Sequence, residues 1–73
     1  MDFTKPIYAE VEGGDEAAER FASYLNLNGI KFTEEKDNPW FLGNTRLFYC
    51  TFNNEEDLRK ANSQGYALFY QSN

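Results

Sequence analysis

Apolar and polar residues along this chain keep switching between two periods, and the switches mark out six elements. From Pro6 to Glu12, Ile7, Ala9 and Val11 point one way and Tyr8, Glu10 and Glu12 the other, the alternation of a half-buried strand. Gly13-Gly14 ends it. Asp15 then stands where a helix N-cap belongs, with Glu16 and Glu19 placed to favour the helix dipole. Ala18, Phe21, Ala22 and Leu25 recur at the spacing of one helical face, which predicts an amphipathic helix over 16–28. Asn28-Gly29 reads as its left-handed stop, with Ile30 folding back as the apolar residue after it.

Alternation resumes from Ile30 to Glu35, with Ile30 and Phe32 on one face and Lys31, Thr33 and Glu35 on the other. The stretch 37–45 offers two turns, Asp37-Asn38-Pro39 and Gly43-Asn44, and reads best as a kinked strand or extended loop carrying Trp40, Phe41 and Leu42. Arg46 to Phe52 is the most strand-like segment: Phe48, Cys50 and Phe52 share one face, and Leu47, Tyr49 and Thr51 the other. Asn53 and Asn54 can each cap a helix, and Asn53 with Glu56 fits a cap answered three residues on, predicting a short helix from Glu55 to about Gln64 with only Leu58 and Ala61 on its inner side. Gly65 stops that helix, and Tyr66 to Gln71 closes the chain as a strand whose buried face the pattern leaves open.

The order β-α-β-β-α-β within residues 1–73 is that of one α+β domain with a ferredoxin-like arrangement, a four-stranded antiparallel sheet with two helices on one face. Right-handed crossovers put the first and third strands at the centre, where the strongest patterns fall.

Composition narrows what such a domain can do. With no histidine, the commonest transition-metal ligand and catalytic base is missing, and with one cysteine no internal disulfide exists. No serine or cysteine therefore has a histidine to activate it, and Gly13-Gly14 opens onto Asp15 and Glu16, which would repel a phosphate. The acids Glu34, Glu35 and Asp37 lack the spaced ligand loop of a calcium site. The expectation is a non-enzyme without metal or cofactor. A lone cysteine in an apolar run fits a reducing compartment, and no basic leader or long apolar stretch opens the chain, so the expected location is cytoplasmic. Seven Phe, five Tyr and one Trp among 73 residues predict an aromatic core, and so small a domain also gains from a second copy of itself.

The formal net charge is −5, and all of the excess lies in residues 1–37, which hold nine acids and four bases. Phosphate backbones are repelled by such a surface, which weighs against general nucleic-acid binding. Two surfaces stand out for binding a protein. The first is the acidic stretch Glu10, Glu12, Asp15, Glu16 and Glu19, which has no base in sequence until Arg20 and suits a basic partner. Carboxylates spaced on a small rigid domain can imitate DNA phosphates, as small acidic inhibitors or adaptors from phages and mobile elements do against nucleic-acid-handling proteins. The second is the helix-free sheet face with Tyr8, Leu47 and Tyr49, joined by Trp40 and Phe41 as loop anchors.

The run Arg46-Leu-Phe-Tyr-Cys-Thr-Phe52, followed by Asn-Asn-Glu-Glu-Asp-Leu-Arg-Lys-Ala61, resembles the third strand and second helix of RNA-recognition-motif domains. That resemblance implies base stacking on Tyr8 and Tyr49, hence single-stranded nucleic-acid binding as the alternative function. It covers about sixteen residues, lacks the basic-glycine pair that opens the strand, and has Leu47 where an aromatic is expected. It is treated as shared fold geometry.

Overall fold

The computed structural model describes residues 1–35 and 44–71. Strands β1 (Ile7–Glu12), β2 (Lys31–Glu35), β3 (Thr45–Thr51) and β4 (Leu68–Tyr70) and helices α1 (Gly14–Leu27) and α2 (Glu55–Ser63) follow one another as β-α-β-β-α-β. The sheet is antiparallel, in the order β2-β3-β1-β4, the ferredoxin-like layout, with β1 and β3 central.

Strand alternation sorts the core. Ile7, Ala9, Val11, Phe48, Cys50 and Phe69 turn to one side and meet Ala17, Ala18, Phe21 and Leu25 of α1 and Leu58 and Ala61 of α2, so both helices cover the same face. Phe21 is the hub. Its ring meets Phe48 edge-on at 5.0 Å and lies 5.9 Å from Phe69, while Phe52 packs against Phe69 at 6.0 Å. Each such pair adds roughly 0.5–1.5 kcal/mol beyond the area it buries.

Glycines decide where α1 begins and ends. Gly13 and Gly14 both take positive φ, 116° and 72°, and swing the chain straight from β1 into the helix. The helix therefore starts at Gly14, and Gly13 is its N-cap without a side-chain bond. Asp15, predicted to be that cap, is already inside the first turn. Instead, the Gly14 N–H donates to the Asn44 carbonyl at 2.8 Å, tying the helix start to the entry of β3. The C-terminus behaves as expected: Gly29 has φ 66°, its N–H reaches the Asn26 carbonyl, and the Ile30 N–H reaches that of Leu25 at 2.9 Å. This double bond pattern satisfies the last carbonyls and folds Ile30 back onto the core.

Of the two asparagines able to cap the second helix, the later one does so. Asn54, extended at φ −157°, accepts from the Asp57 N–H at 2.8 Å. The adjacent Asn53 is engaged elsewhere, donating to the Gly29 carbonyl at 3.2 Å, which links the two helix ends. The last strand is shorter than predicted, and its facing is settled: Phe69 points inward, Leu68 and Tyr70 outward. Gln71 then clasps the start of the chain, accepting from the Asp2 N–H and donating to the Asp2 carbonyl, both at 2.9 Å. Among the described residues, no helix is long and apolar enough to cross a membrane.

A Cβ placed on Gly13 would come 2.8 Å from the Cβ of Ala17, whereas one on Gly29 would meet nothing within 4 Å. Gly29→Ala should thus cost about 1 kcal/mol for its left-handed backbone alone, and Gly13→Ala about 2–4 kcal/mol because the helix must also shift. Urea unfolding of the two variants checks this; equal costs would remove the clash from the account.

Candidate functional site

The pleat that buries the phenylalanines turns a second set of aromatics outward. Tyr8 of β1 sits opposite Tyr49 of β3 on one side and Tyr70 of β4 on the other, and Tyr49 in turn faces Thr33 of β2. The three tyrosines form a row across the strands. Tyr8 stacks on Tyr70 at 5.1 Å with 15° between ring planes, and meets Tyr49 edge-on at 4.8 Å. Strand spacing of about 4.8 Å places such rings in mutual contact without strain. All three remain half exposed.

Carboxylates stand next to this row. The adjacent transverse line reads Glu35, Leu47, Glu10, Leu68 across β2, β3, β1 and β4. Glu10 neighbours Tyr70, and Glu35 neighbours Tyr49. Both phenols have pKa values above the ordinary tyrosine value, first because the sheet withdraws them from water; next, the Tyr70 hydroxyl donates to the Glu10 carboxylate, and for both rings a nearby glutamate disfavours a second negative charge. Leu68 is 66% exposed. Glu10, Glu12 and Leu68, with the 65–67 turn, line a shallow groove of about 420 Å³ along the β1–β4 side.

The acidic stretch read from sequence does not make one surface. Glu10 and Glu12 lie on the helix-free face, Glu10 next to the tyrosine row and Glu12 further along β1, whereas Asp15, Glu16 and Glu19 lie on α1. Asp15 and Glu19 line a separate cleft of about 440 Å³ with Glu34 and Arg46. Arg46 donates to Asp15 at 3.2 Å, so the base that sequence distance hid is supplied by β3. Leu47 lies on the helix-free face as predicted, but it is only 3% exposed and stands apart from the main core. It is therefore not an exposed contact residue. Trp40 and Phe41 lie outside the described residues. Leu68 and Tyr70 join the face because, of the two facings the pattern leaves open for the last strand, the fold takes the one that turns them outward and Phe69 inward.

Cys50, the one thiol, points into the core from β3 and is fully buried. Burial pushes its pKa up from 9.0 to about 12, so it stays a neutral packing group at ordinary pH.

Compared with known protein families, with characterised proteins and with solved structures, the chain finds no match, the RNA-recognition-motif family included.

The raised Cys50 pKa fixes a sign. Below pH 9.0 both the folded and the unfolded thiol are neutral, and the fold keeps its full stability; as pH climbs towards 12 only the unfolded chain ionises, and stability is lost. Tyr49 and Tyr70 act with the same sign, from the ordinary tyrosine range upwards. Unfolding free energy measured against pH should therefore decline above pH 9.0, and Cys50→Ala should flatten the first part of that decline. An unchanged slope in the variant would detach the thiol from alkaline unfolding.

Proposed function

We propose that this chain is a non-catalytic, acidic module that binds a basic protein through the helix-free face of its sheet. The observation that carries the reading is the row Tyr49, Tyr8, Tyr70, in which the central Tyr8 touches both neighbours and which Glu10 and Glu35 border, with Glu12 further along the same face. Tyrosine offers wide, stiff contact area with a polar tip, which suits protein recognition at low entropic cost. The bordering carboxylates select for a partner carrying lysine or arginine. An inhibitor or adaptor of a nucleic-acid-handling protein is the sharpest form of this reading, since such targets carry basic surfaces shaped for phosphates. A cytoplasmic setting accords with a lone thiol kept reduced and buried.

Two features make single-stranded nucleic acid the weaker alternative. Tyr8 is already stacked on Tyr70 and abuts Tyr49, so a base entering there must first separate the row. The carboxylates on the same face repel the phosphates that would follow.

Charge neutralisation separates the two readings by sign. In capture from a nuclease-treated lysate of the source cell, Tyr8→Ala with Tyr49→Ala should cut recovery of the bound protein at least about tenfold, in line with loss of interface aromatics. Glu10→Gln with Glu12→Gln should weaken that recovery too. If the double glutamine variant instead gains affinity for single-stranded oligonucleotides, and protein recovery disappears with nuclease, the nucleic-acid reading replaces this one.

A further inference from the structure

Resting on the protein-binding reading, we propose that the residue this face selects in its partner is arginine rather than lysine, held on the β1–β4 side of the tyrosine row. Three observations converge there. Glu10, half-buried and accepting from the Tyr70 hydroxyl, and the exposed Glu12 stand on the helix-free side of β1 and, among the described residues, neither forms a salt bridge. The one base at an outward strand position among the described residues is Lys31 of β2, the opposite edge strand. The stacked rings of Tyr8 and Tyr70 stand next to Glu10, outside the groove, and Leu68, with an exposed apolar side chain, lies between Tyr70 and the groove.

Those three surfaces match the three parts of an arginine. Its planar guanidinium donates two parallel hydrogen bonds to a carboxylate, which a lysine ammonium does not. The same plane lies against an aromatic ring, gaining from the ring quadrupole, and is less strongly hydrated than an ammonium, so less is lost on leaving water. Tyr70 sits on the edge strand, and among the described residues no strand lies beyond the ring side that turns away from Tyr8. The apolar stem of the arginine covers Leu68, removing from water a side chain that the fold itself leaves two-thirds exposed. A lysine satisfies the charge and the stem but gains neither the paired hydrogen bonds nor the stacking.

The test uses the intact chain, isotope-labelled, titrated with an arginine peptide and a lysine peptide of equal length and charge at about 150 mM salt, where long-range attraction is screened. The arginine peptide should bind roughly fivefold more tightly. Its amide shift changes should centre on Tyr8, Glu10, Glu12, Leu68 and Tyr70. Tyr70→Leu, which keeps an apolar strand residue at the edge, should bring the two affinities together, while Glu10→Gln with Glu12→Gln should weaken both. Equal affinities on this face in the unaltered protein would overturn the arginine preference and leave the basic-partner reading standing. Shifts confined to α1 or α2 would overturn the site itself, whatever the variants do.

Discussion

The edge-on meeting of Phe21 with Phe48 is the contact on which the other parts of this molecule depend. It joins the middle of α1 to a central strand, and Phe69 and Phe32 lean on the same pair. A chain this size has a stability of roughly 4–11 kcal/mol by the usual per-residue scale. Truncating one buried phenylalanine typically costs about 3–5 kcal/mol, so this hub holds a large share of what keeps the fold populated. The short second helix, with Leu58 and Ala61 as its buried residues, attaches to a core that the first helix has already organised.

The outer face follows from the inner one. With Phe48 and Cys50 committed to the helices, a pleat of period two must send Tyr49 the other way, and antiparallel register then sets Tyr8 beside it and Tyr70 beyond. A one-residue slip would exchange the two sets, placing hydroxyls in the core and phenylalanines in water, so the register of β1 on β3 is strongly defended. Tyrosine is tolerated outside because each ring covers its neighbour while its oxygen stays wet. The same arithmetic puts Glu10 and Glu12 on the face of the tyrosines and keeps them from joining Asp15 on the helix.

Much of this was legible in the chain. Alternation gave the inward set of β1 and β3, because a half-buried strand writes its period directly into the residues. The helical spacing of Ala18, Phe21, Ala22 and Leu25 and the handedness of crossovers supplied the β-α-β-β-α-β order and the central place of both strands. Local ambiguities went the other way by one residue. Two adjacent glycines allow a helix to begin on either, which displaced Asp15 from its expected cap, and two adjacent asparagines compete for one cap, which Asn54 wins while Asn53 turns to Gly29. What sequence distance conceals is pairing across elements. Nothing near Asp15 announces Arg46, and Tyr70 becomes part of the tyrosine row only once the facing of a three-residue strand is known. Leu47 was placed on the correct face, yet its burial is a property of the assembled molecule.

The placing of β4 also bears on the order in which the chain is made. Residues 68–70 pair with residues 8–10, and Gln71 grips the backbone at Asp2, Lys5 and Pro6. During synthesis β1 is made well before β4 and completes its pairing only once residues 68–70 have left the ribosome. Until then one edge of a central strand is bare and Phe21 lacks Phe69 at its side. Contacts of such long range slow folding and leave unpaired edges exposed to neighbours. Before β4 forms, that bare edge is where a neighbouring chain would pair, and the excess acid of residues 1–37 works against such an approach by mutual repulsion.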